Sequence, residues 1–147
     1  MFARISLAAF TVAAAVSVCQ GYAVISARAI PANCARTYTV RPGDTCDAIS
    51  AIESVSSFQL AEVNRDTIDP LCDNLFVGEP LCLGIVGQDC TSVHQVVTGD
   101  TCATIATAAG IELSTLLANN PNVNSACTNI HLDEVLCIDS GVIPYTF

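Results

Sequence analysis

Cysteine is the residue type whose number and spacing stand out in this sequence. Of nine cysteines, eight form two sets of four, separated by 12, 26 and 10 residues in the first set and by 12, 25 and 10 in the second. Thiolates at such spacings can bind a metal ion, but an even number of cysteines in an exported chain favours disulfides. We therefore expect no metal site, and disulfides paired within each set, with three connectivities open per set. The eight are Cys34, Cys46, Cys72, Cys82, Cys90, Cys102, Cys127 and Cys137.

Other side chains offer little that could catalyse a reaction. No Ser, His and Asp set recurs in the two halves, and no cysteine remains to act as a nucleophile. Asp133 and Glu134 could suggest the acid pair of a glycosidase, but we interpret them as a solvated surface turn. His94 and His131 are interpreted as replacements for exposed aromatic residues of the first half. The sequence predicts a protein that is not an enzyme and needs no cofactor.

The N-terminus has the features of an export signal. Arg4 precedes an apolar run over residues 5–18, which is shorter than a membrane-spanning helix and typical of a signal-peptide core. Small residues allow cleavage after Ala23 or Ala29; we favour Ala23, so residues 1–23 are predicted to be a signal peptide. Cys19 leaves with this leader. We expect the mature protein to be secreted and extracellular.

The charge of the chain narrows the class of partner. The formal net charge is −9 and the sequence contains no lysine. Nucleic acids and anionic membranes bind proteins through clustered Lys and Arg, so the sequence predicts neither as a partner. A neutral ligand fits this charge better.

The sequence contains an internal repeat, and its two copies indicate which secondary-structure elements position the cysteines. The run Gly43-Asp44-Thr45-Cys46 recurs as Gly99-Asp100-Thr101-Cys102. Each copy spans just under fifty residues between its outer cysteines, a size at which a hydrophobic core alone is marginal and disulfides are expected.

Each copy has the pattern strand, helix, helix, strand. Asp44 and Asp100 are expected to cap the first helices, and apolar residues at helical spacing over residues 102–109 end at Gly110. The sequence predicts an α+β protein of two tandem βααβ modules at residues 37–83 and 93–138, joined by a short linker over residues 83–89.

The residues that recur are also those of a known family. The run Tyr38-x-Val40-x-x-Gly43-Asp44-Thr45-Cys46, its counterpart ending at Cys102, and residues 120–127 (Asn-Pro-Asn-Val-Asn-Ser-Ala-Cys) resemble LysM domains. The resemblance covers nearly the whole mature chain, and a cysteine-bearing chain with a signal peptide is similar to the LysM effectors that fungi secrete. It implies a disulfide-stabilised fold that binds chitin or its N-acetylglucosamine oligomers without hydrolysing them. In such effectors, binding conceals chitin fragments from host immune receptors or shields the hyphal wall.

The resemblance also implies where the ligand binds, in a shallow groove between two loops of each copy. Loop amides and carbonyls can pair with an acetamido group while small apolar side chains contact its methyl. The implied ligand-binding residues are Pro42, Gly43, Asp44, Thr45, Thr67, Ile68 and Asp69 in the first copy and Thr98, Gly99, Asp100, Thr101, Pro121, Asn122, Val123 and Asn124 in the second.

The second copy is predicted to be the better site. The first has Asn64-Arg65-Asp66 where the family usually has Asn-Pro, and one extra residue, which would reshape its groove. Asn64 and Asn120 could bond either their own loops or the ligand. Tryptophan is absent, so affinity per module is expected to be modest. Two sites in one chain, or two chains on one polymer in a ligand-bridged homodimer, would raise it.

Three alternatives stay open. The ligand could be peptidoglycan, which also contains N-acetylglucosamine. The chain could instead be a structural cysteine-rich surface protein of the hydrophobin type, although adjacent Cys-Cys pairs are absent from the sequence. It could also be a small secreted inhibitor of a hydrolase.

Overall fold

The structure is a computed structural model that describes residues 30–146. The predicted signal peptide lies outside these residues. The elements follow the predicted order twice: β1 (Cys34–Thr39), α1 (Cys46–Glu53), α2 (Ser57–Val63) and β2 (Pro80–Ile85), then β3 (Val93–Gln95), α3 (Cys102–Ala109), α4 (Leu113–Asn119) and β4 (Val135–Cys137).

Each copy closes on its own two-stranded antiparallel sheet. β1 pairs with β2, with an irregular register around Arg36, and β3 pairs with β4 so that His94 lies opposite Leu136. The predicted α+β fold of two βααβ modules is confirmed. We call the first copy module 1 and the second module 2.

Each module has a separate hydrophobic core built from residues at equivalent positions. In module 1, Ile49, Leu60 and Leu81 are fully buried. Their counterparts Ile105, Leu116 and Leu136 are at most 2% exposed in module 2. One residue from the first helix, one from the second helix and one from the last strand therefore form the centre of each core.

The disulfides join cysteines within each module, as predicted. The first cysteine of each set pairs with the fourth, and the second with the third. The outer bonds tie the start of each module to its last strand, and the inner bonds tie the first helix to the loop that follows the second helix. The pairs are Cys34–Cys82, Cys46–Cys72, Cys90–Cys137 and Cys102–Cys127.

The first helices end in left-handed residues. Gly110 has φ 69° and its N–H bonds to the carbonyls of Ala106 and Thr107, as expected for a C-terminal glycine. Ser54 adopts the same left-handed conformation at the end of α1, with φ 51°. The predicted end of α3 at Gly110 is confirmed.

The connection between the modules is shorter than expected. β2 continues through Ile85, so three of the seven residues of the predicted linker over residues 83–89 lie in a buried strand. Asp89, at its other end, accepts hydrogen bonds from the Arg36 guanidinium at 2.7 and 2.8 Å. The sequence predicts a short linker of limited freedom, and the pairing of Gly84 and Ile85 with β1 and of Asp89 with Arg36 agrees with this; only the start of the linker lies later than predicted.

Two general properties can be stated for residues 30–146. No single helix there has the length and hydropathy to cross a bilayer; α3 and α4 reach that threshold only together, across a bend of 104°. In the same part of the chain, no group of three or more His, Cys, Asp or Glu side chains is arranged to hold a metal ion.

Candidate functional site

The first loop of each predicted groove is a tight turn closed by an aspartate. The Asp44 carboxylate accepts hydrogen bonds from the Arg41 N–H at 2.7 Å and from the Tyr38 hydroxyl at 2.8 Å. The Arg41 N–H, followed by the Tyr38 hydroxyl, lowers the pKa of Asp44. Gly43 precedes it with φ 89°, a conformation that favours glycine. This turn carries Pro42, Gly43 and Asp44.

The same turn is built in module 2 with a different partner. The Asp100 carboxylate accepts from the Val97 N–H at 2.9 Å and lies 2.7 Å from His94 Nε2. The hydrogen bond from His94, then that from Val97, lowers the pKa of Asp100. His94 is therefore not a replacement for an exposed aromatic residue: it takes the place of the buried Tyr38 and bonds the turn aspartate. Thr98 and Gly99 complete this turn.

The helix caps are one residue later than the sequence predicts. Thr45 Oγ1 accepts from the Ala48 N–H, and Thr101 Oγ1 from the Thr104 N–H, both at 3.2 Å. Asp44 and Asp100 were expected to be the caps, which is wrong, because their carboxylates are already bonded within the turns. Threonine is itself a good N-cap, so the local sequence allowed either assignment.

The second loop of each groove is held by an asparagine that the sequence did not mark as functional. Asn74 Oδ1 accepts from the Asp69 N–H at 3.0 Å, and Asn74 Nδ2 donates to the Thr67 carbonyl at 2.9 Å. Asn129 makes the same two bonds to Asn124 and Asn122, each at 2.8 Å. The extra residue in module 1 thus leaves the bonding of its second loop intact. The only signal for this role was the recurrence of Asn74 as Asn129.

The middle residue of each second loop points inward. Ile68 is 5% exposed and Val123 is 7% exposed, and both pack in the cores of their modules. They anchor their loops. Their contact with a ligand stays a prediction, although one edge of Ile68 reaches the cleft described below.

Asn64 and Asn120 are structural. The amide of Asn64 donates to the carbonyls of Leu60 and Cys82 and accepts from the Cys82 N–H. Asn120 makes the equivalent three bonds, and it is 1% exposed. Of the two roles that the sequence left open, the structure supports the bond to the protein's own backbone, since each side chain joins the end of a second helix to a strand.

Glu134 differs most from expectation. It is 2% exposed, and its carboxylate accepts from Asn122 Nδ2 at 2.7 Å and from the His131 N–H at 3.1 Å. The prediction of a solvated turn is therefore wrong for Glu134, while Asp133 is exposed with φ 69°. Buried carboxylates need such donors because desolvation penalises their charge. Through its hydrogen bond with Asn122, Glu134 holds the second loop of module 2 in place.

A cleft of about 750 Å³ lies between the two modules. Five of the predicted ligand-binding residues line it: Thr45, Ile68 and Asp69 from module 1 and Pro121 and Asn122 from module 2. Pro42, Gly43, Asp44, Thr67, Val123, Asn124 and the turn Thr98, Gly99, Asp100 and Thr101 do not line this cleft in the described part of the chain.

The cleft combines apolar side chains with charged groups that lie close to one another. Phe58 and the 83% exposed Leu71 supply apolar surface. Arg65 lies 3.8 Å from Glu62, and His131 lies 3.3 Å from the Glu134 carboxylate. The Asp69 carboxylate accepts hydrogen bonds from the backbone N–H groups of Leu71 at 3.0 Å and of Asp73 at 3.3 Å. Such a surface suits a neutral ligand with apolar faces.

The inner disulfides hold the loops of each groove together. Cys46, at the start of α1, follows the first loop, and its partner Cys72 follows the second. Both cysteines line the cleft. Cys72 and its counterpart Cys127 share the same left-handed backbone, with φ 55° in each. The covalent bond therefore limits how far the two loops can separate.

Two disulfide-bonded βααβ modules with a cleft between their loops define a small tandem-module protein. The LysM domain profile matches residues 38–84 and 94–139, which together are more than half of the chain. The chain belongs to the LysM family, and the resemblance seen in its sequence is confirmed.

Curated relatives of the chain are fungal LysM effectors. It is 28% identical over 130 residues to a secreted LysM effector of Pochonia chlamydosporia, covering 76% of this chain and 33% of the relative. It is 29% identical over 144 residues to a secreted LysM effector of Beauveria bassiana, covering 76% and 35%. A non-secreted LysM effector of Gibberella moniliformis is 30% identical over 115 residues, covering 77% and 15%. The chain therefore spans about a third or less of the length of these relatives.

Proposed function

We propose that this protein binds N-acetylglucosamine oligomers of chitin, without hydrolysing them, in the cleft between its two modules. The observation that carries the proposal is the meeting of predicted ligand-binding residues from both modules in one cleft of about 750 Å³. This volume lies within the roughly 300–1,000 Å³ typical of ligand sites.

The lining of the cleft supports a neutral sugar as ligand. The Phe58 ring and the Leu71 side chain offer apolar surface for the faces of pyranose rings and for acetamido methyl groups. Thr45 and Asn122 carry polar groups beside them. A polyanionic ligand is disfavoured by the net charge of −9.

The hydrogen bonds of two cleft carboxylates, Asp47 and Glu134, support binding without catalysis. A glycosidase requires one carboxyl free to protonate the leaving group and a second to attack or activate water. Glu134 is buried and accepts hydrogen bonds from Asn122 and the His131 backbone. Asp47 accepts from the Ser57 hydroxyl at 3.0 Å. Both are committed to the protein's own structure.

In its biological setting, we propose a secreted effector that acts outside the fungal cell. Membership of the LysM family and similarity to secreted LysM effectors support this. Binding would conceal chitin fragments from host receptors or cover the hyphal wall. A long polymer could also join two chains as a ligand-bridged homodimer, with a gain from effective concentration.

Sedimentation and calorimetry test the proposal. The oxidised mature protein should sediment with insoluble chitin but not with cellulose or xylan, and calorimetry should detect binding of chitohexaose. Stronger co-sedimentation with peptidoglycan than with chitin would show that peptidoglycan is the preferred ligand. Recovery in every supernatant, together with a flat titration, would reject carbohydrate binding.

Two pairs of variants test the position of the site. Leu71→Ala introduces the residue that module 2 has at this position, Ala126, and should reduce chitohexaose affinity by roughly threefold to tenfold, as expected for loss of an apolar contact. Leu132→Ala, at a 57% exposed position outside the cleft, is the control.

The second pair decides between the cleft and the groove of module 2. Thr45→Ala and Thr101→Ala each remove a side-chain N-cap, at a cost in stability of about 1 kcal/mol; in α3 the bond from the Thr101 N–H to Thr104 Oγ1 remains. Since Thr45 lines the cleft and Thr101 does not, Thr45→Ala should weaken binding more. The opposite order would favour the ranking predicted from sequence, with module 2 as the better site.

A further inference from the structure

The first turn of α2 is where module 1 meets the rest of the chain. Ser57 Oγ accepts a hydrogen bond from the Val135 N–H of β4 at 3.0 Å. Two residues on, Gln59 Oε1 accepts from the Cys90 N–H at 2.8 Å, and Gln59 Nε2 donates to Asp89 at 2.7 Å. Gln59 is fully buried. One turn of helix therefore holds both β4 and the end of the linker.

The chain after β4 returns across module 2. Asn119, at the end of α4, is fully buried and binds this segment three times. Its Nδ2 donates to the carbonyls of Asp139 at 3.1 Å and Gly141 at 2.9 Å, and its Oδ1 accepts from the Ile143 N–H at 2.8 Å. The base of the segment, residues 139–143, is thereby tied to module 2.

The end of the same segment is tied to module 1 and the linker. The Tyr145 ring packs edge-on against Phe58, with centroids 5.3 Å apart and planes at 65°. Burial of the hydroxyl raises the pKa of Tyr145 to about 12. The Thr146 N–H donates to Gln88 Oε1 at 2.7 Å, and Gln88 Nε2 donates back to Thr146 Oγ1 at 2.8 Å. The segment thus bridges the two modules.

The repeat is broken at the residues that make these contacts. Ser57, Phe58 and Gln59 of module 1 correspond to Leu113, Ser114 and Thr115 of module 2. Leu113 is 41% exposed and Ser114 is exposed. Likewise Asn119 stands where module 1 has Val63. The two copies therefore differ at the residues that form the contact between the modules. This indicates a specific interface between the modules rather than two independent modules joined by a flexible linker.

We infer that residues 139–146 form a strap that sets the angle between the two modules and so holds the intermodule cleft in its binding form. Tyr145 acts through Phe58: the two rings are in contact, and Phe58 lines the cleft whereas Tyr145 does not. Tyr145 is thus a positioning residue. The strap itself rests on the contacts above, and only its effect on ligand affinity depends on the proposed function.

The physical reason is that the walls of the cleft belong to two separate cores. Each module can keep its own disulfides and core while the angle between the modules changes, and any such change alters the shape of the cleft. If the strap is released in some molecules, only the remaining fraction is competent to bind. The apparent affinity then falls in proportion to that fraction. The angle is then held by the remaining junction contacts: the hydrogen bonds of Ser57 and Gln59, the Arg36–Asp89 ion pair and the 3.8 Å approach of His131 to Asp47.

The test compares Tyr145→Ala with Tyr145→Phe in the full mature chain. The phenylalanine variant keeps the ring against Phe58 and loses the hydroxyl, which hydrogen-bonds the Ser56 side chain and lies 3.5 Å from Gln59 Oε1. Intermodule orientation is measured without ligand, by residual dipolar couplings and ¹⁵N relaxation of each module. Affinity for chitohexaose is measured by calorimetry, and intramodule chemical shifts report whether both cores remain folded.

The alanine variant should give modules that reorient separately, with unchanged core shifts and an affinity lower by about tenfold, and the phenylalanine variant should match the parent in both. A Tyr145→Ala protein whose modules keep the parental orientation would overturn the strap. If the parent binds no chitohexaose but the orientations change as stated, the proposed function fails and the strap stands.

Discussion

Removal of the inner disulfide of module 1 is the perturbation whose outcome the structure defines best. The Cys46→Ala, Cys72→Ala double variant opens a loop of 26 residues. In the chain-entropy treatment, this loop contributes about 3.5 kcal/mol at 25 °C. The midpoint of thermal unfolding should then fall by at least about 10 °C for modules of this size.

Module 2 contains a matched control. The Cys102→Ala, Cys127→Ala variant opens a loop of 25 residues, for which the same treatment yields nearly the same loss of about 3.5 kcal/mol. The two variants should therefore have similar stabilities. They should differ in binding, because Cys46 and Cys72 line the cleft and the module 2 pair does not.

The assay combines urea unfolding followed by circular dichroism with calorimetry against chitohexaose, well below both melting temperatures. We expect a larger loss of affinity for the module 1 variant. Equal losses of affinity would refute the assignment of the ligand to the cleft. Stabilities that differ by much more than about 1 kcal/mol would refute the entropy reasoning, which depends only on loop length.

Three further predictions concern the junction and the loops. Gly84→Ala should cost about 1–3 kcal/mol in urea unfolding, because a Cβ there would collide with the Asp89 carboxylate and lie 2.6 Å from the Gln59 amide; unchanged stability would contradict this. Burial acts to raise the pKa of Asp89, but hydrogen bonds from Arg36 and Gln59 outweigh it and hold the pKa below its ordinary value of 3.8. The stabilisation from Asp89 is therefore fully present above that ordinary pKa, and it is lost as the pH falls through the folded-state pKa. Melting temperatures measured over about pH 6 to 2 should show this loss. The Asp89→Asn variant should show a weaker dependence of melting temperature on pH. Asn129→Ala should cost about 1–2 kcal/mol, from two loop hydrogen bonds, and hydrogen exchange should show faster opening confined to residues 122–129.

The fold was accessible from the sequence because its signals are local or repeated. Cysteines at matching steps, an apolar stripe over residues 102–109 and Gly110 after it identify a module and its first helix without any knowledge of distant contacts. Duplication then doubles each signal. The pairing within modules could be expected, but its connectivity could not, because spacing alone does not say which cysteines meet.

The roles of individual polar residues were less accessible. Asp44 and Thr45 are both good caps by type, and only the position of Tyr38 shows which one is already bonded. Glu134 looked like a surface residue because its partner Asn122 lies twelve residues away in the chain. Such assignments depend on which side chains meet in the folded protein, and the spacing of residues along the sequence does not reveal this.

By itself, the sequence determined that this chain is two copies of one disulfide-bonded LysM module, because each module's elements, core and staples lie within about fifty consecutive residues. Only the tertiary structure decided how the copies meet. Ser57, Gln59 and Tyr145 contact residues 31 to 86 positions away, and the cleft is formed from loops of both modules. Contacts between separate cores leave no periodic pattern, so the shared cleft could be seen only once the chain was folded.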